Sequence, residues 1–401
     1  MDVGFQTFNR CAKMTTSNNP YSDIAIIGGG LAGLCFAIQA ADNGYSVALF
    51  EKENYPHHKV CGEYISMESW QFLRRLGLPL EEMQLPVINQ LQVSSVNGKL
   101  FEHALPLGGF GISRHKIDAL LADIATRKGV KLFTQTKVTD VVFDESNRGK
   151  FTLNTNSPSG NNQLRAAIVI GSFGKRSNLD VQWKRDFIQQ KPNKLNNYIG
   201  IKYHIRYPHP IDTIALHNFE NGYCGMSKIE QNKSCLCYLT TAQNLKNNHN
   251  SVKQMEENIL CKNPFLKDIF LNAEFLFPQP IAISQISFQQ KLSVENHLLM
   301  VGDAAGSITP LCGNGMSMAM HASKLAFEQV DLFFQKKITR TEMEAQYQQA
   351  WKQHFSTRLA IGRFIQSMFG KTATSNFLVN TMNLLPFLAT PLIKSTHGKA
   401  F

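Results

Sequence analysis

No part of this 401-residue chain is spaced like a disulfide scaffold, a metal cage or a secretory leader. The eight cysteines (Cys11, Cys35, Cys61, Cys224, Cys235, Cys237, Cys261 and Cys312) are irregularly placed and too sparse to staple a fold of this length, which suits a reducing, cytoplasmic compartment. Cys235 and Cys237 alternate along a strand-like run, yet no second pair or histidine set completes a zinc site. Residues 1–20 lack a continuous apolar core and a small-residue cleavage pattern, so they read as a flexible leader. Long apolar runs are also missing. The stretch 377–393 comes nearest, but Pro386, Pro391 and two asparagines interrupt it, which argues against a spanning helix. Acidic residues are in deficit, 30 against 41 Lys and Arg, giving a formal charge of +11. The cations are scattered rather than clustered, so a nucleic-acid partner is not expected. Peripheral contact of the basic surface and the 377–393 tail with a membrane stays open. No internal repeat is visible.

What is present begins with Asp23 to Glu51. A buried apolar run, Ile24 to Ile27, leads into Gly28-x-Gly30-x-x-Gly33, which opens a helical pattern (Leu34, Ile38, Ala41) closed by Asn43-Gly44. A second apolar run, Ser46 to Phe50, ends on Glu51. Each glycine has a mechanical role: Gly28 for the tight turn, Gly30 for close approach of a pyrophosphate, Gly33 for helix–strand packing. The diphosphate belongs at the helix N-terminus, and Glu51 stands where a carboxylate accepts ribose hydroxyls. A dinucleotide site with an unphosphorylated ADP ribose follows. There is one such fingerprint, so a nicotinamide dinucleotide would visit only transiently.

Further along, Ile88 to Leu105 alternates as a hairpin turning at Asn97-Gly98, and Lys116 to Arg127 is a patterned helix. Strand signals follow at Lys131–Thr134, Val138–Asp144 and Gly149–Asn154, then a polar loop over 155–163, then a buried strand over Ala166–Ile170. Residues 181–290 alternate mostly as strands, with one helix near 252–259. The apolar strand His297–Val301 runs into Gly302-Asp303-Ala304-Ala305-Gly306, then a helix from Pro310 to Ala326, and from Thr339 the pattern is helical.

Asp303, at a strand end, is placed to bind ribityl hydroxyls, and Pro310-Leu-Cys-Gly-Asn-Gly-Met316 opens a second helix whose free N–H groups face the same cavity. In this order, the motifs resemble the FAD-binding fold of the para-hydroxybenzoate hydroxylase superfamily, which includes aromatic hydroxylases, flavin-dependent halogenases and geranylgeranyl reductases. The resemblance runs from Tyr21 to about Ala326. It implies an α/β fold: a Rossmann-like FAD-binding domain in pieces 21–85, 106–180 and 291–335, a β-rich substrate domain in 86–105 and 181–290, and C-terminal helices over 336–401. It also implies FAD as cofactor, with Gly28, Gly30, Leu31, Ala32, Gly33, Glu51 and Lys52 around the ADP half. By the same resemblance Gly302 and Asp303 hold the ribityl diphosphate, Gly313, Asn314, Gly315 and Met316 lie under the pyrimidine edge, Arg114 reaches phosphate or ribityl chain, and the Val138 backbone meets adenine.

Lys59-Val-Cys-Gly-Glu63 is similar to the K-x-C-G stretch of geranylgeranyl reductases, which places Cys61 and Gly62 beside the flavin and offers Glu63 as a proton donor. His57 and His58 read as loop residues. Departures bear on the substrate. Gly171-Ser-Phe-Gly-Lys-Arg-Ser177 lacks the hydroxylases' aspartate, Gly222-Tyr-Cys-Gly-Met-Ser-Lys228 lacks the reductases' tryptophan and proline, and the halogenases' Trp-x-Trp-x-Ile-Pro is absent. The favoured activity is an NAD(P)H-driven monooxygenase hydroxylating a lipophilic aromatic or polyketide-like small molecule, prompted by Tyr198, Tyr203, Phe219, Tyr223, Phe275 and Phe277. Reduction of isoprenoid double bonds is the alternative. Neither a catalytic acid or base, nor the oligomeric state, nor the choice of NADH or NADPH can be read from the residues.

Overall fold

A computed structural model describes residues 20–146, 150–191, 197–307 and 313–401. Five parallel strands form the heart of the first sheet, side by side in the order Leu298–Met300, Gly160–Gly171, Tyr21–Ile27, Val47–Phe50 and Lys131–Phe133. The central strands are buried on both faces, which is why Ile24 to Ile27 and Ala166 to Ile170 read as continuous apolar runs. Helix Leu31–Asp42 covers one face, burying Leu34, Phe36 and Ile38 against Gly315–Phe334 and Arg114–Arg127. Each such side chain contributes about 1.5–3 kcal/mol of burial.

The 155–163 loop is a correction. Phe151–Ser157 and Gly160–Gly171 pair throughout, Thr155 opposite Asn162, and only Pro158 and Ser159 turn. The polar residues misled because this hairpin runs beyond the core, where its ladder bonds form whatever the side chains are. Its partner on the other side is Lys137–Phe143.

The second sheet is largely antiparallel, in the order Glu274–Phe275, Tyr198–Arg206, Ser234–Thr241, Gly222–Lys228, Thr213–Phe219, Val87–Ser94, Leu100–Gly111 and Tyr64–Ser66. Ile281–Ile286 also pairs with Tyr198–Arg206. The expected hairpin at Asn97-Gly98 is there, with Gly98 at φ +81, and it joins this sheet through Val87–Ser94, parallel to Thr213–Phe219. Four helices, Asp186–Gln189, Ala242–Asn247, Val252–Asn258 and Pro264–Asn272, stand among the described residues of 181–290 where one was expected. The last has proline at its first turn and Asn263 as cap, a start signal the reading passed over.

Helix Arg114–Arg127 begins two residues before its apolar pattern, because the Ser113 hydroxyl accepts from the Lys116 N–H at 3.1 Å. Arg340–Met368 starts on a capping box, Thr339 with Glu342. The apolar tail folds as Thr372–Leu384 and Ala389–Thr396, bent by 106° at the break around Pro386. No single helix among the described residues is long and apolar enough to cross a membrane. The proline-led helix start at 310 lies outside the described residues; the helix there begins at Gly315.

Candidate functional site

The turn after Tyr21–Ile27 tolerates only glycine at two points. Gly28 sits at φ +104 with the Ser172 carbonyl 2.3 Å from where a Cβ would be, and a Cβ on Gly33 would lie 2.1 Å from the Gly28 carbonyl. Gly30 is different. A Cβ there would meet nothing closer than Arg114 Nη2 and Lys59 Nζ, each at 3.7 Å, so the space over the helix start is open and faced by two cations. Gly30 caps Leu31–Asp42 without any side-chain acceptor, which leaves the first-turn N–H groups available.

Those cations are held in place by Asp118. Arg114 clamps its carboxylate through Nε and Nη2 at 2.8 and 2.7 Å, and Lys59 reaches Oδ2 at 3.2 Å. Burial would raise the Asp118 carboxyl, but Arg114 and Lys59 more than offset it and hold it below the usual range. One positive charge is left over to face an anion. Glu51 is buried and accepts the Gly29 N–H at 2.8 Å and the Glu53 N–H at 3.1 Å, with lone pairs to spare for hydroxyls. Lys52 points outward. Val138 is buried in the core cluster that also holds Ile27, and its carbonyl accepts from the Asn178 amide at 3.1 Å.

The other expected segments converge on the same helix. A Cβ on Gly302 would stand 3.3 Å from Ala32 and 3.5 Å from Ala319, so the Gly302–Ala304 turn is wedged between the two helix starts. Leu31, Ala32 and Met316 share one core cluster. The Asp303 carbonyl accepts from Lys291 Nζ at 2.8 Å, and the same ammonium reaches the Lys175 carbonyl at 2.8 Å. Burial pushes Lys291 down to about 8, against the pull of Asp303. No motif singled out Lys291. At the second helix start, Gly313 is at φ +65 against the Tyr64 ring, followed by Asn314 and Gly315. Asn314 is fully buried; its amide nitrogen donates to the Thr396 carbonyl, and its Oδ1 has no partner.

The Lys59–Glu63 segment ties this cradle to the second sheet. The Cys61 carbonyl accepts from Cys235 Sγ at 3.2 Å, and Gly62 has free space beside it. Glu63, wholly buried, accepts the Arg114 N–H at 2.7 Å, is paired with Lys202 Nζ, and meets His204 Nε2 at 2.6 Å. Burial would raise its pKa, but Lys202 and His204 bring it down to about 2. An anion so held cannot donate a proton, which corrects that expectation. Glu63, His204 and Cys235 place potential ligand atoms within 4.8 Å of one another, but the Lys202 ammonium already supplies the cation. His58 lies in a loop, as expected, and its ring stacks on His115 at 4.5 Å and meets the edges of His204 and Phe277. Burial, then Lys202, pushes it down to about 4.

Beyond Gly313 and Tyr64 opens an apolar cavity of about 120 Å³. Leu91, Val93, Phe101 and Leu216 of the second sheet form its floor; Val379, Met382, Leu392 and Ile393 of the C-terminal helices form its roof. Among the described residues, the ionisable groups in its wall are Tyr64 and His397. His397 Nδ1 lies 2.9 Å from the Ile393 carbonyl, a contact that requires the proton on Nδ1 and leaves Nε2 as an acceptor. Burial first, then Arg358, lowers its pKa. Sequence reasoning had no signal for this residue, a histidine past the last helix.

A family model described as an FAD binding domain matches residues 21–328. Conditioned medium factor receptor 1 of Dictyostelium discoideum is 25% identical over 354 residues, 83% of this chain and 68% of that protein. A digeranylgeranylglycerophospholipid reductase of Methanosarcina acetivorans is 24% identical over 357 residues, 86% of this chain and 84% of the relative. Among solved structures, the flavin-dependent brominase Bmp2 superposes with a TM-score of 0.77 at 20% identity, over 95% of this chain and 94% of its own.

Proposed function

The chain belongs to the FAD-binding-domain family, as an FAD-dependent oxidoreductase of the aromatic-hydroxylase-like superfamily, and on that premise we propose that it is an NAD(P)H-driven monooxygenase hydroxylating a lipophilic phenol. The residues fit the cofactor. The open, doubly cationic space at Gly30 suits a diphosphate, and the orphaned Asn314 Oδ1 is an acceptor waiting for a ring N–H. In this reading Gly28, Gly30, Leu31, Ala32, Gly33, Glu51, Arg114 and Lys59 hold the ADP half; Gly302, Asp303, Gly313, Asn314, Gly315 and Met316 hold the flavin half. When bound, the flavin supplies the electrons and the activation of oxygen.

The chain supplies position, dryness and one base. The cavity walls exclude water and bury a hydrocarbon body. His397 Nε2 accepts the phenol proton, which raises electron density at the ring carbons ortho and para to the oxygen, where an electrophilic oxygen adds. Tyr64, whose hydroxyl is buried without a partner, hydrogen-bonds the same oxygen from the other side. The observation that carries this reading is the His397 ring, with its Nδ1 against the Ile393 carbonyl, beside Tyr64 in a mostly apolar wall.

The test is oxygen uptake by the holoenzyme with NAD(P)H and a panel of alkyl-substituted phenols. Substrate-dependent uptake matched by a hydroxylated product supports the proposal. A saturated product without oxygen uptake would replace it with the second reading, double-bond reduction. The Lys59–Glu63 segment and the likeness to a digeranylgeranylglycerophospholipid reductase over 86% of this chain favour that second reading.

A further inference from the structure

The C-terminal helices are apolar on both sides. Their inner residues, Val379, Met382, Leu392 and Ile393, roof the cavity. A roof alone would be polar outside. Instead Leu384, Leu385, Pro386, Phe387 and Leu388 are all exposed at the 106° elbow between Thr372–Leu384 and Ala389–Thr396, Leu384 by 79% and Phe387 by 68%. Phe377 and Phe364 add exposures of 65% and 63%. Contiguous exposed apolar surface of this kind marks something that covers it.

Charge says what. From residue 345 to 401 the chain has no Asp or Glu but six cations: Lys352, Arg358, Arg363, Lys371, Lys394 and Lys399. These 57 residues thus carry six of the net eleven charges. Arg358 is committed to Glu68 at 3.6 Å; the other five make no ion pair among the described residues. We infer that the elbow docks the protein on an anionic bilayer, with Leu384 to Leu388 inserted among the acyl chains near the headgroups and the lysines at the surface. Helices of 13 and 8 residues are too short to span. A second copy of the chain on the same patch would bring together two C-terminal segments that each carry six cations and no acid, which disfavours it. Docking is independent of the reaction the flavin performs, although it brings the cavity roof to where lipophilic molecules dissolve.

The experiment is flotation of the full-length holoenzyme with vesicles of phosphatidylcholine alone or with about one-third phosphatidylglycerol. The wild type is expected to float with the anionic vesicles, at least about tenfold more than with neutral ones, and to be partly released by salt. Leu384→Ser with Phe387→Ser is expected to lower the partition at least about tenfold, with flavin absorbance and hydrodynamic size unchanged. Lys371→Glu with Lys394→Glu is expected to remove the preference for anionic lipid. Failure of the wild type to float at low salt overturns the inference, as does an elbow variant that floats like wild type. So does a lipid-free dimer that the elbow variant dissolves, which would assign the patch to a second copy.

Discussion

The nucleotide cradle and the apolar cavity meet at Gly313 and Tyr64, but they are made in different ways. The cradle is mostly backbone: a 29-residue stretch from Asp23 to Glu51 turns at Gly28 and packs at Gly33, neither of which admits a Cβ, and Lys59, Arg114 and Asp118 add charge from elsewhere. The cavity is all side chains, drawn from residues 64 to 397 across the second sheet and three C-terminal helices. A site written in backbone tolerates few changes and announces itself as a pattern. One written in side chains depends on volume and leaves no local trace.

The sharpest way to break the cradle is Gly33→Val. Its Cβ would overlap the Gly28 carbonyl and drive the helix off the sheet, at a cost above about 4 kcal/mol. The expected result is loss of soluble, flavin-bearing protein, read from absorbance after purification.

Glu63 joins the cradle to the second sheet, through Arg114 on one side and Lys202 and His204 on the other. Glu63→Gln leaves Lys202 buried beside a neutral partner and is expected to cost about 3–5 kcal/mol, measured as a fall in denaturation midpoint. The sign with pH follows from its depressed value. The pKa is about 2 folded against 4.5 ordinarily, so the anion's stabilisation is full above about 4.5 and fades as pH falls toward 2. The variant should lack that dependence, and an identical acid profile would remove Glu63 from the account.

In the cavity, His397→Gln is expected to lower kcat about 100-fold with flavin affinity unchanged. Because burial lowers the His397 pKa, the wild-type base stays unprotonated through neutrality, and activity falls only at pH below the ordinary histidine range. The variant's profile should have no such acid limb. The mildest change, Phe101→Leu, enlarges the cavity floor and costs about 1 kcal/mol. It should raise KM severalfold and leave flavin binding alone. If flavin binding also weakened, the two regions would not be separable.

The cradle was legible because its causes are local. Gly28 and Gly33 lie where the tight turn and the helix–strand contact exclude a Cβ, Gly30 leaves the helix start open, Glu51 follows its strand end, and Asp303 and Asn314 lie at strand and helix ends. The pairing of Thr155 with Asn162 was misread because a polar hairpin outside the core has no hydrophobic period to betray it. Glu63 was misread as an acid because its partners, Lys202 and His204, lie about 140 residues away on a strand that reads as ordinary core.

By itself the amino-acid order determined the dinucleotide turn, the two-part organisation into parallel and antiparallel sheets, and the break at Pro386 that splits the apolar tail into two short helices. Those features follow from φ freedom, apolar period and proline, which act within a few residues. Only the tertiary structure decided the ionisation of Glu63, the tautomer of His397, the cavity beside Tyr64 and the outward turn of Leu384 to Leu388. Each depends on which distant groups share a low-dielectric space, and that is settled by packing across the two sheets and the C-terminal helices rather than along the chain.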